Sequence, residues 1–340
     1  MLRQLSNACG VSGDEGEVRR IIREDLRNHV DALYTDTMGN LYAHKRGKGP
    51  RVMLAAHMDE VGLRVTGVVA GTGLLSYTTE GVEPRVVVGK RVLVGPNRIP
   101  GVIGAKPIHL QEEAEFKRAY KHAELSIDIG ARDEAEALAL VRPGDPVCFD
   151  TQFAFFGDGL MRGKALDDRL GCSVLTELLR RPYDCDLYGV FTVQEEVGCR
   201  GALIAANRVQ PAVALVLEAT AANDMAGVPL GQDVTRVDQG PAITFMDRGV
   251  VVKAPMFRAL KAAAQEANIP YQLRRGTRGS NDASAIHKQG AGALVGTVSI
   301  PCRYIHAPCS VASVKDYENA IRLVHQFLHS KKYEGVIRHV

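Results

Sequence analysis

A chain of 340 residues with 46% hydrophobic and 24% charged residues is long enough for two domains and a substantial buried core. Its formal net charge of +3 is too small to draw in nucleic acid or an anionic membrane surface, and no run approaches the ~18 apolar residues that span a bilayer. Met1 to Asn7 lacks the apolar stretch of a secretory signal, and seven scattered cysteines without a Cys-x-x-Cys pair read as reduced thiols of a cytoplasmic protein.

Ser12 and Glu15 stand at capping-box spacing, and Val18, Ile21, Ile22 and Leu26 then form one helical stripe. Asp36 to Asn40 reads as a turn, followed by a short strand and then by the apolar run Arg51 to Ala56 that ends at His57. From about 62 to 155 the texture changes to short β-type runs rich in Val, Gly and Pro, among them Arg85 to Val88 and Arg91 to Val94. Only Glu112 to His122 looks helical there. This segment predicts an inserted β-rich, barrel-like domain, leaving 1–61 and 156–340 as the second domain.

Past residue 156 strands and helices alternate. A helix follows Asp168 with Leu170, Val174, Leu175, Leu178 and Leu179 on one face. Strands are expected at Leu187 to Val193, Pro211 to Leu217 and Ala293 to Ile300, and helices at Pro255 to Ala267 and Val314 to Leu328. Such alternation predicts an α/β fold with a mainly parallel, twisted sheet flanked by helices.

The chemistry-bearing residues cluster in this pattern. In an open α/β sheet, ligands bind beyond the carboxyl ends of the strands. His57 (with Asp59 and Glu60 beside it), Glu195-Glu196 and Glu218 each follow a predicted strand; Asp167-Asp168 opens a helix, and His306 lies further on. Five ligand-type groups and a spare carboxylate are what two adjacent divalent metal ions and a general base require. Asp59, two residues beyond His57, falls on the same face of an extended segment and could orient the imidazole through its second nitrogen. Asp167-Asp168 would cap a helix in another setting; between two cations, one carboxylate must bridge and relieve their repulsion. Glu195-Glu196 divides into two jobs, one carboxylate on metal and its neighbour facing a bridging water. Cys302 and Cys309 bracket His306 and read as small buried side chains.

The order and spacing of several stretches resemble the TET or glutamyl-aminopeptidase family of dinuclear metallopeptidases. They include Gly10 to Glu15, Asp36 to Leu41, Ala56 to Gly62, Ile127 to Ala131, Lys164 to Arg169, Glu195 to Gly198 and Arg303 to His306. The resemblance implies that His57, Asp167 and Glu218 hold one metal and that Asp167, Glu196 and His306 hold the other. It makes Glu195 the general base and gives Asp59 the task of orienting His57. It further implies two Zn²⁺ or Co²⁺ ions per subunit, peptide substrates cut at the N-terminus, and a β-rich dimerisation domain. Such dimers often build a tetrahedral dodecamer.

The sequence departs from the family at three places. Position 218 is Glu where Asp is usual, His306 is followed by Ala307-Pro308-Cys309, and Gly279 to Ala283 matches the substrate-pocket loop loosely. Arg274, Arg275 and Arg278 read as a solvated loop rather than as a receptor for an acidic residue. A deacylase or carboxypeptidase on the same dinuclear core remains an alternative. A metal-independent glycosidase with paired carboxylates leaves His57 and His306 without a task, and a non-catalytic assembly protein has no need of an intact ligand set. No phosphate-binding glycine loop or Gly-x-Ser-x-Gly elbow occurs.

Overall fold

The computed structural model describes residues 1–79, 81–229 and 231–338. Helices α1 (Leu2–Asn7) and α2 (Gly16–Leu26) precede strands β1 (Ala32–Thr35), β2 (Leu41–Lys45) and β3 (Arg51–His57). Val18, Ile22 and Leu26 of α2 are buried along one stripe. The Ser12 cap is not made: Glu15 takes the N-cap position, and the Ser12 hydroxyl donates to Asp59 Oδ2 at 2.7 Å. A bond to a buried carboxylate is stronger than one to a neutral backbone amide, so the hydroxyl goes there. Between β1 and β2 the turn forms as expected, with Asp36 Oδ1 accepting from the amides of Met38, Gly39 and Asn40 at 3.0 Å each.

Six strands then close a barrel: β4 (Leu63–Val68), β5 (Leu75–Thr79), β6 (Arg91–Val94), β7 (Ile99–Ala105), β8 (Leu125–Asp128) and β9 (Pro146–Phe149), paired in the order β4-β5-β8-β7-β6-β9. Closure removes free strand edges, and the interior fills with residues such as Leu63, Leu75, Val94, Ile103 and Ile127. Arg85 to Val88 is not a strand. Pro84 lacks an N–H and fixes its own φ, so Pro84–Val86 makes a single 3₁₀ turn and Val87 is buried behind it. The helix expected over 112–122 shortens to α3 (Glu113–Phe116), and an unanticipated α4 (Glu134–Leu140) is capped by Asp133, whose side chain accepts from Glu136 N.

The remaining elements are β10 (Ala154–Phe156), β11 (Leu160–Gly163), α5 (Leu166–Leu179), β12 (Asp186–Thr192), α6 (Arg200–Val209), β13 (Val213–Ala221), β14 (Ala242–Ile243), α7 (Ala254–Glu266), β15 (Gln272–Leu273), α8 (Ala283–Ile286), β16 (Leu294–Arg303), β17 (Ser310–Ser313), α9 (Val314–His329) and α10 (Lys332–Arg338). The large sheet runs β1-β2-β12-β3-β13-β16-β17-β11-β10. Its four central strands, β12, β3, β13 and β16, are parallel, and the flanking pairs are antiparallel, so the sheet as a whole is mixed. Val52 to Ala56 and Val213 to Leu217 are buried throughout, as strands covered on both faces must be. The Ala55–Val216 pair puts His57 and Glu218, each two residues on, level with one another. Glu218 lies inside β13, which continues to Ala221, and not after it.

Two tethers, one of them fully buried, hold the site's surroundings. Arg169 is fully buried and donates to the carbonyls of Leu5, Ala8, Gly10 and Met58 and to Glu60 Oε1, while Lys164 Nζ lies 2.7 and 2.8 Å from the two Glu60 oxygens. Glu60 is therefore spent on an ion-pair network and is not a metal-facing group. The second tether corrects the reading of all seven cysteines as thiols: Cys9 and Cys148 form a disulfide, and the other five are free. Strand β9 returns alongside the segment after α1, a proximity that residues 139 apart in sequence do not advertise. Replacing Arg169 by Leu leaves buried carbonyls and a carboxylate under-paired, and should cost about 3–5 kcal/mol in denaturant unfolding; a loss below 1 kcal/mol would show that the network contributes little.

Candidate active site

The carboxyl ends of the central strands converge where α5 begins. Asp167 and Asp168 sit inside the first turn with non-helical backbone, joined by a cis peptide, and their side chains part. Asp168 turns inward, accepting from the amides of His57 at 3.2 Å and Gly171 at 2.9 Å. Asp167 faces the opening. Its Oδ1 lies 3.2 Å from His57 Nε2 and its Oδ2 3.2 Å from His306 Nε2, one oxygen for each imidazole.

Each histidine also meets a glutamate. His57 Nε2 is 3.3 Å from Glu218 Oε1, and His306 Nε2 is 3.2 Å from Glu196 Oε2. His57 Nδ1 lies 3.0 Å from the Asp59 carbonyl and 3.4 Å from its carboxylate Oδ1. A carbonyl only accepts, so Nδ1 carries the proton and Nε2 keeps its lone pair for a metal. The orienting group is thus chiefly the Asp59 backbone. Its carboxylate has a second task that spacing did not reveal: Oδ1 accepts from Glu195 N at 2.9 Å and Oδ2 from Glu196 N at 3.1 Å, with Ser12 on Oδ2 as well. Burial works against the Asp59 charge, but the His57 ring, the Ser12 hydroxyl and the Glu195 amide hold its carboxyl below the usual range.

The donor set fits divalent cations. Glu196 Oε1 and Glu218 Oε2 are buried without a hydrogen-bond partner among the described residues, an arrangement that costs free energy unless something positive meets them. Ligand atoms of His57, Asp167 and Glu196 lie within 4.8 Å of one another, as do those of His57, Asp168 and Glu218. The electrostatics agree. Burial, reinforced by the Asp167 charge, pushes Glu196 and Glu218 up to about 8. Burial opposes charge on His306, yet Asp167 and Glu196 raise it to about 9; burial likewise opposes charge on His57, and Glu218, Asp167 and Asp59 raise it well above its ordinary value. Surplus negative charge recruits protons wherever no cation is at hand.

Glu195 points into the same cavity of about 270 Å³ but meets neither imidazole; burial and the charges of Glu218, Asp282 and Glu196 raise its carboxyl well above the usual range. The arginine loop is solvated at Arg275 and Arg278, which are exposed, and departs from that reading at the half-buried Arg274. Arg274 and Arg278 line the cavity, and Arg274 is tied down, donating to Thr220 Oγ1 at 3.1 Å and to Gly276 O at 2.5 Å; Arg275 lies elsewhere. Asp282, buried beside Glu195, was not singled out by its spacing. Adding Zn²⁺ or Co²⁺ to chelator-treated protein, at about a hundred times the dissociation constant, should stabilise it by about 2.7 kcal/mol per site; calorimetry showing no rise in Tm would count against cation binding here.

Comparison with known proteins then places the chain. A family model described as M42 glutamyl aminopeptidase matches residues 39–323. A putative aminopeptidase of Acetivibrio thermocellus is 38% identical, covering 95% of this chain and 96% of the relative. Among solved structures, a TET aminopeptidase from a marine sediment Thaumarchaeota archaeon superposes with a TM-score of 0.95 at 36% identity, over 98% of this chain and 96% of its own. The TET1 peptidase of Pyrococcus horikoshii, which can assemble into a tetrahedron or a large octahedral shell, superposes with a TM-score of 0.86 at 29% identity, over 96% of this chain and 98% of its own.

Proposed function

This chain belongs to the M42 glutamyl aminopeptidase family, and we propose that its site releases N-terminal residues from peptides with Glu195 as the general base. In this reading His57, Asp167 and Glu218 hold one divalent ion and Asp167, Glu196 and His306 the other, with Zn²⁺ or Co²⁺ suiting the imidazole and carboxylate donors. The observation that carries it is Asp167, whose two oxygens face the two imidazoles at 3.2 Å each. When bound, a pair of such ions polarises the scissile carbonyl and acidifies the water beside it.

The chain's own residues do the rest. Glu195 is ionised in the presence of nearby cations; it takes a proton from the attacking water at a carboxylate oxygen and later returns it to the leaving amine. Asp59 fixes where that carboxylate starts, because it holds the amides of Glu195 and Glu196 together. Excess carboxylate at the site attracts the free α-ammonium of a peptide. The longer Glu218, held level with His57 by the strand register, reaches the imidazole from within β13 and keeps the ligand role that Asp usually has in the family.

Assembly is part of the proposal. The segment joining β7 to β8 exposes Ile108, Leu110 and Phe116, at 66%, 58% and 61%, a concentration of apolar surface that suits a contact between copies of this chain. Dimers formed through the barrel and built into a tetrahedral dodecamer are the assembly we propose; the Pyrococcus horikoshii relative can assemble into a tetrahedron. A cytoplasmic setting rests on the five unpaired cysteines, with the Cys9–Cys148 bridge its counterweight. Among the described residues no helix is long and apolar enough to cross a membrane.

Glu195→Gln should retain two ions by elemental analysis while kcat on aminoacyl-chromophore substrates falls by about 10²–10⁴-fold; undiminished turnover refutes the assignment. Phe116→Glu combined with Ile108→Glu should lower the particle mass measured by light scattering, and an unchanged mass would move the contact elsewhere.

A further inference from the structure

Glu195 also belongs to a second group of donors, with Cys199 and Asp282. Cys199 takes the left-handed conformation at the start of α6, with φ 52°, and its Sγ donates to Glu195 Oε1 at 3.5 Å. Asp282, the residue before α8, is 1% exposed; its Oδ2 accepts from Thr192 Oγ1 at 2.5 Å, and its Oδ1 has no partner among the described residues. Ligand atoms of Glu195, Cys199 and Asp282 all lie within 4.8 Å of one another. Ser284 Oγ donates to the sulfur at 3.8 Å.

We propose that Glu195, Cys199 and Asp282 form a third cation site, for one soft divalent ion such as Zn²⁺ or Cd²⁺, and that filling it takes the general base out of service. Neither Cys199 nor Asp282 belongs to the ligand set of the dinuclear pair. Two buried carboxylates this close repel one another unless something positive lies between them. One thiolate with two carboxylates selects Zn²⁺ or Cd²⁺ over Mg²⁺, Ca²⁺ or Mn²⁺, and three protein ligands leave a fourth tetrahedral position for water. Binding releases the thiol proton to solvent, so the group passes from one S–H and two carboxylates to a thiolate complex with no electron transferred. The ion's route is through the catalytic cavity, which Glu195 lines.

Once coordinated through one oxygen, the Glu195 carboxylate shares its charge with the ion and is a much weaker base toward the attacking water. Activity should therefore rise as the first two ions bind and fall as the third arrives. The binding half of the proposal stands on geometry alone; the inhibitory half rests on Glu195 being the base.

The test uses full-length protein carrying its first two ions as Co²⁺, titrated with Cd²⁺ while thiolate-to-cadmium absorption in the near ultraviolet, bound cadmium by equilibrium dialysis and peptide turnover are followed together. The dinuclear ligands include no sulfur, so the absorption reports a cysteine and nothing else. Expected are one thiolate band per subunit and a parallel loss of turnover. Cys199→Ala should remove the band, Asp282→Asn should weaken cadmium binding at least tenfold, and Cys309→Ala should leave the band in place. Where Cys199→Ala does not fold, Cys199→Ser serves in its stead. No band in the wild type, or a band that survives the loss of Cys199, overturns the site. A Cys199-dependent band with undiminished turnover overturns the inhibitory half and, with it, the role of Glu195.

Discussion

Repulsion between carboxylates organises this molecule. Four parallel strands end together, and their ends and the neighbouring turns present Asp167, Glu196, Glu218 and Glu195 to one small volume. Buried carboxylates cannot all remain charged in such a space without cations or protons among them. Asp167 reconciles the arrangement by lying between the two imidazoles, with one oxygen turned to each. The parting of Asp167 and Asp168 divides the work: one carboxylate lies between the imidazoles, while the other, still beside Glu218, accepts from the His57 and Gly171 amides.

Much of this was legible in the chain because strand ends are legible. A continuous apolar run followed by a metal-type side chain marks β3 and His57, and the same rule finds β12 with Glu195-Glu196. The helical stripe after Asp168 is buried as its spacing implied. Two kinds of cause lie behind the failures: partners distant in sequence and, at Pro84, a local backbone constraint. Ser12 abandons its own helix for Asp59, and Glu60 is claimed by Lys164 and Arg169. Pro84 overrides the β propensity of the valines after it. Asp59 illustrates the limit best, since spacing revealed its proximity to His57 but not that its carboxylate ties down the amides of two consecutive glutamates.

The arginine loop shows how a local reading can hold for two residues and miss the third: Arg275 and Arg278 are exposed, and Arg274 is half-buried. Three arginines within five positions look like a wet surface, yet Arg274 gives its donors to Thr220 and to backbone carbonyls and lines the cavity. A guanidinium held in that way is a fixed positive charge in a cavity that the carboxylates also line, and the charge of Glu218 acts on it. Asp247, which lines the same cavity and whose charge acts on Arg274, tempers its field.

The disulfide between Cys9 and Cys148 has a mechanical meaning. Cys9 begins the stretch whose Gly10 pairs with Glu60 and whose Ser12 grips Asp59, and Asp59 in turn anchors the backbone of Glu195. Cys148 belongs to the barrel, on its closing strand. A covalent strut therefore runs from the barrel to within three residues of the serine that steadies this anchor. Strain in the barrel would be delivered along the backbone to the amide of Glu195, the base of the proposed function, so the barrel and the placing of that carboxylate share one load path.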